Sequence, residues 1–129
     1  MKAMRRRLAG LGAVAATTAA LTISLPAAAH AADYCNGNVV AQHDGYGFST
    51  RLIRSYDGRS ICVNTWNQTG HQAWTKAELY DPTGFPAGGD FAPYYQYAST
   101  GWEPVVSGCW KWFGIPNGSG GWTGYQNCF

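Results

Sequence analysis

The residues of this chain best suited to chemistry are aromatic, and they are unevenly placed. All six Trp, eight Tyr and five Phe residues, with all four cysteines, fall after position 31 of 129. Such rings bury large areas with few rotatable bonds, and Tyr and Trp still hydrogen-bond, which suits them to protein interfaces and to stacking on sugars. They are densest in Tyr94-Tyr95-Gln96-Tyr97 and Trp110-Lys111-Trp112-Phe113. Read as strands, both stretches put rings on both faces. Core filling and cross-strand pairing account for about half of the set, notably Phe48, Trp66, Trp74, Trp110 and Tyr125. The remainder predicts an exposed patch at Tyr95, Tyr97, Trp102 and Trp112, with the 82–93 loop beside it.

Catalytic constellations are sparse. Gly47-Phe48-Ser49-Thr50-Arg51 lacks the second glycine of a nucleophile elbow, and no His-Glu-x-x-His, phosphate loop or dinucleotide loop is present. His43-Asp44 followed by Ser49 supplies triad residue types, but a triad is a spatial relation that adjacency in sequence does not provide. Glycoside hydrolysis needs two placed carboxylates on an aromatic cleft, and Asp44, Asp57, Glu78, Asp81, Asp90 and Glu103 are the candidates. They are scattered, and Asp57 and Asp81 sit at turn signals. The four cysteines lack a Cys-x-x-Cys pair, so neither zinc nor any cofactor is expected.

Residues 1–31 read as a secretory signal peptide. Lys2, Arg5, Arg6 and Arg7 precede an apolar run from Leu8 to Leu25, and Ala29-His30-Ala31 is a small-residue cleavage site. A retained membrane anchor is the rival, but Thr17, Thr18, Ser24 and Pro26 interrupt the run. The expected product is a secreted domain, 32–129, with no membrane attachment after cleavage. Its five basic residues (Arg51, Arg54, Arg59, Lys76, Lys111) face seven acidic ones, too few for a phosphate-binding surface, so no nucleic acid is expected as a partner. The leader resembles actinomycete export signals, so the sequons at Asn67 and Asn117 read as chance matches.

A domain of this size buries only about 60–68% of the surface its unfolded chain exposes, so two disulfides are the expected reinforcement. Pro116 to Gly121 lies midway between Cys109 and Cys128 and folds the flanks into a hairpin, which predicts Cys109–Cys128 and leaves Cys35–Cys62. Tyr56-Asp57-Gly58 predicts a second hairpin between Phe48–Ser55 and Arg59–Trp66. A three-residue loop there pairs Leu52 with Cys62, and a two-residue loop pairs it with Val63. Gln72–Tyr80 alternates Trp74, Lys76, Glu78 and Tyr80 against Ala73, Thr75, Ala77 and Leu79, which favours strand over helix. Asp81–Pro93, with three prolines and three glycines, reads as a structureless connection. Strands are expected again at Asn38–His43, Tyr94–Ala98, Trp102–Phe113 and Trp122–Phe129.

Together these readings predict an all-β fold: a small antiparallel sandwich or barrel of six to seven short strands with two disulfides. The expected role is non-catalytic binding of an extracellular protein, as a hydrolase inhibitor or a subunit of an exported assembly. Carbohydrate binding is the first alternative, supported by neutral amides such as Asn36, Gln42, Asn64 and Gln96; a small antimicrobial toxin or glycoside hydrolase is the second. The layout resembles that of small two-disulfide α-amylase inhibitors of the tendamistat kind. Their Trp-Arg-Tyr triplet is absent here, with Trp66-Asn67-Gln68 and Trp102-Glu103-Pro104 nearest, so the resemblance transfers no residues.

Overall fold

A computed structural model describes residues 33–129 of the chain. The expected signal peptide lies outside the described residues. Nine strands run through them: β1 (Asn38–Gly45), β2 (Phe48–Arg54), β3 (Ser60–Asn67), β4 (Ala73–Tyr80), β5 (Pro86–Tyr94), β6 (Tyr97–Ser99), β7 (Glu103–Pro104), β8 (Cys109–Pro116) and β9 (Trp122–Cys128). They form two antiparallel sheets. One has the order β1-β2-β3-β6, with β7 also paired to β3; the other has the order β9-β8-β4-β5. The all-β class is as expected, and β4 is a strand as its alternation predicts. Among the described residues no helix is long and apolar enough to cross a membrane.

The strand count exceeds the expected six or seven for two reasons. Asp81–Pro93 is not structureless: Gly84 N donates to Asp81 O (2.8 Å) and Asp81 N to Phe85 O (2.9 Å), closing a tight turn into β5. Pro86 and Pro93 are tolerated because β5 is an edge strand, where a residue without an N–H can face away from the ladder. The long strand expected at Trp102–Phe113 is broken into β7 and β8, with Val105 N tied back to Arg59 O at 2.9 Å. Tyr94–Ala98 is likewise not one strand. Tyr94 ends β5 in one sheet, Tyr97 begins β6 in the other, and Tyr95-Gln96 makes the crossing, held by Asn67 N donating to Gln96 O (2.7 Å).

The β2–β3 hairpin forms where Asp57-Gly58 predicts it. Leu52 pairs with Val63, the second of the two expected registers, but the loop is four residues, Tyr56 to Arg59. Side chains set that length: Asp57 Oδ1 accepts from Ser55 Oγ (2.7 Å) and Arg59 N (3.0 Å), and Ser60 N donates to Ser55 Oγ (2.9 Å).

Alternation builds the interior. Leu52, Ile61 and Val63 from the first sheet meet Ala77, Leu79, Trp110 and Trp112 from the second, joined by Tyr94 and Ala98. Fully burying a large apolar side chain contributes about 1.5–3 kcal/mol. The sheets approach closely at Gly114, where an added Cβ would collide with the Thr50 and Thr65 hydroxyls. Those buried hydroxyls satisfy each other at 2.8 Å. Both expected disulfides are present, Cys109 directly opposite Cys128 across the β8–β9 ladder and Cys35 bonded to Cys62. Closing loops of this length contributes about 3 kcal/mol each.

Candidate functional site

Side chains that point away from the interior meet different fates on the two sheets. On the five-stranded sheet residues 34–35 lie over part of them, and Val39 at the sheet edge stays 54% exposed. Cys35 is bonded to Cys62; its N donates to Asn64 Oδ1 (3.1 Å) and its O accepts from Asn64 Nδ2 (2.8 Å). Tyr34 packs edge-on against Trp66 (5.1 Å between ring centres) and Tyr97 (5.7 Å). The Arg51 guanidinium stands 6.0 Å from the Trp66 ring centre, and its Nε is buried without a hydrogen-bond partner among the described residues.

The outer face of the four-stranded sheet carries no such cover among the described residues. Trp74 and Phe91 are 58% and 48% exposed. The Phe91 ring lies 4.9 Å from that of Trp74, tilted by 40°, and 5.6 Å from that of Trp122, nearly perpendicular to it. Lys76, opposite Phe91 in the ladder, places Nζ 4.9 Å from the Phe91 ring centre, 4.8 Å from that of Trp122 and 3.6 Å from Glu78 Oε1. A cation over two rings is worth about 0.5–2 kcal/mol and holds the strip together.

Below the strip the same face dips into a hollow of about 330 Å³ lined by Tyr80, Asp81, Lys111, Phe113 and Gln126 among others. The ladder fixes its floor, because Tyr80 pairs with Lys111 and Lys111 with Gln126 in one row across three strands. Phe113 stands edge-on to Tyr80 at 5.7 Å. The Asp81–Gly84 turn forms one wall. Asp81 Oδ1 accepts from Thr83 Oγ1 (2.6 Å), Thr83 N (2.9 Å) and Phe85 N (3.0 Å). The Thr83 hydroxyl bond and these backbone donors hold the carboxyl below its ordinary range. Pro82 sits against Gly108, where φ is 129° and an added Cβ would meet the proline ring at 2.6 Å. Gly108 in turn exchanges both backbone bonds with Phe129 (3.0 and 2.8 Å), extending the ladder past Cys109–Cys128. The wall is thus braced at a disulfide, and Phe85 projects at its end, 68% exposed.

The patch expected from sequence is only partly assembled. Tyr95 (60% exposed) and Trp102 (40%) are open, but they lie in the connections around β6, and neither ring pairs with another among the described residues. Tyr97 is half-buried beside Tyr34 and Trp66. Trp112 is a correction: it is wholly buried, with its Nε1 donating to Asn127 Oδ1 at 2.8 Å. Residues two apart share a strand face, so Trp110 and Trp112 both point inward while Lys111 and Phe113 point out. Trp74, expected in the core, is an exposed ring by the same rule. Period-two alternation carried back from Leu79 and Ala77 is the signal that identifies it.

Residues with catalytic potential are kept apart. His43 points inward and stacks on Tyr125 (3.7 Å, 3°), whereas Asp44 and Ser49, paired across β1 and β2, point outward and share the Gln42 amide. Asp90 accepts from Tyr94 Oη (2.6 Å) and Ser99 N (3.1 Å) along the seam between the sheets, and burial together with that bond raises the Tyr94 pKa. Glu103 lies on the same seam, beside Gly88, and burial raises its pKa. Among the described residues no group of three or more His, Cys, Asp or Glu side chains is placed to hold a metal. No family model, curated protein or solved structure matches the chain.

Proposed function

We propose that this chain is a small, non-catalytic, secreted binding protein that docks an extracellular protein on the outer face of its four-stranded sheet. The strip Trp74–Phe91–Trp122, held by Lys76 and open among the described residues, whereas Tyr34 and Cys35 cover part of the opposite face, carries this reading. Exposed aromatic groups of this size mark interaction surfaces, and rings anchored by neighbours lose little entropy on binding. The rings are tilted or perpendicular to one another, so they present relief that complements a protein better than a flat platform would. Phe85, projecting from a turn braced at a disulfide, is the kind of rigid element by which an inhibitor enters a hydrolase cleft. The two disulfides support an oxidising, extracellular destination.

The test is capture from culture supernatant by the immobilised protein, expressed for export so that both disulfides form. One protein should be retained in stoichiometric amount and lost by the Trp74→Ala/Phe91→Ala variant, whose thermal melt stays close to that of the parent. Retention of the same protein by that variant would overturn the reading.

A further inference from the structure

We infer that the hollow at the foot of this face is a saccharide subsite that seats one pyranose ring of a neutral glycan. The inference goes beyond protein docking and rests on that reading only in taking this face as the working surface. Its ground is the set of groups that meet there. Lys111 has no carboxylate within ion-pair distance among the described residues. The Gln126 amide makes only a long contact, 3.9 Å, to Cys128 Sγ. Asp81 commits Oδ1 to its own turn, while Oδ2 holds no hydrogen bond among the described residues. A cationic donor, a neutral amide and an anionic acceptor therefore line one hollow whose other walls are the Tyr80 and Phe113 rings.

Charge selects among ligands. A carboxylate drawn to Lys111 meets Asp81, and an ammonium drawn to Asp81 meets Lys111. A purely apolar side chain strips water from both and returns no hydrogen bond. Hydroxyls both donate and accept, so a ring bearing several serves the three groups together while its C–H face lies on the aromatic walls. The volume, about 330 Å³, stands at the small end of ligand sites, enough for one ring. The floor is set in advance by the Tyr80–Lys111–Gln126 row and one wall by Pro82 seated on Gly108, so little ordering is required on binding. The glycan belongs either to a glycoprotein partner or to a free polysaccharide.

Isotope-labelled protein titrated with maltotriose, cellotriose and tri-N-acetylchitotriose, with trigalacturonic acid as the acidic contrast, tests this directly. At least one neutral sugar should give saturable shifts at Tyr80, Lys111 and Gln126 with a Kd of about 1 mM or tighter. Lys111→Met/Gln126→Ala should weaken that binding by about tenfold or more, and Phe91→Ala should change it by less than about threefold. No saturable shift with any neutral sugar, tighter binding of trigalacturonic acid, or unchanged affinity in the double variant would overturn the inference. Protein capture that persists while sugar binding fails removes the subsite alone; sugar binding without protein capture removes the docking reading alone. Enzymatic deglycosylation of the supernatant identifies the source: lost capture places the sugar on the partner, and pull-down by insoluble starch, cellulose or chitin places it on a polysaccharide.

Discussion

Trp66 and Trp74 both point away from the interior, from β3 in one sheet and β4 in the other, yet one is structural and the other free. Trp66 lies beneath Tyr34, with Tyr97 also against its ring. Among the described residues Trp74 packs on Phe91 of the same face and is 58% exposed. The contrast teaches that an outward ring on a two-layer fold belongs to the structure only where another part of the chain comes back to cover it. Here one disulfide, Cys35–Cys62, holds the cover in place.

Substitutions test that contrast from its strongest element downward. Trp112→Ala sets the scale for a wholly buried ring: it should cost about 3–5 kcal/mol in urea unfolding, through lost burial and an unfilled cavity. A cost below about 1 kcal/mol would put Trp112 back among the exposed rings. Removing the staple with Cys35→Ala/Cys62→Ala should cost about 3 kcal/mol and alter the near-ultraviolet signal of the Trp66 cluster, while capture by the other face is retained. Unchanged stability would mean that Tyr34 and Asn64 hold the cover without the bond.

Single-ring truncations should then separate the faces. Trp66→Ala is expected to cost about 1–2 kcal/mol and Trp74→Ala less than about 0.5 kcal/mol, both read by denaturant midpoint; equal costs would erase the distinction. The smallest effect is pH-dependent and concerns Glu103 on the seam between the layers. Burial raises its pKa above the ordinary 4.5, so the stability it contributes is present below that value and is lost as pH rises through the folded pKa. Glu103→Gln should therefore raise the melting temperature by about 1–2 °C at neutral pH and leave it unchanged near about pH 3.5. A gain of the same size at both values would assign the effect to packing. Asp57 and Asp81 have the opposite sign: hydrogen bonds lower their pKa below 3.8, so their contribution holds above that value and fades as pH falls.

Much of the framework was legible wherever the causes were local. The Asp57-Gly58 turn, the alternation of β4 and the hairpin that pairs Cys109 with Cys128 each depend on residues close together in sequence. Legibility failed where a remote partner decided. The prolines of Asp81–Pro93 read as loop because nothing local reveals that Pro86 and Pro93 fall in β5 at a sheet edge, where they are accepted. Tyr94 to Tyr97 looked like one strand because the step between sheets depends on Asn67, whose N binds Gln96 O while its side chain binds Tyr94 O. The candidate site moved for a different reason: Trp112 and Trp74 obey the same alternation, and the patch expected at Trp112 lies on the strand positions beside it.

Composition and periodicity by themselves determined an all-β chain with two disulfides, because cysteine count, turn residues and a period of two act within short stretches. Tertiary structure alone decided which outward rings other described residues would cover. Alternation sorts side chains onto two sides of a strand, but it carries no information about what will pack on either side. That depends on where Tyr34 and Cys35 come to rest, on Gly108 admitting Pro82, and on Gly114 letting the two sheets meet.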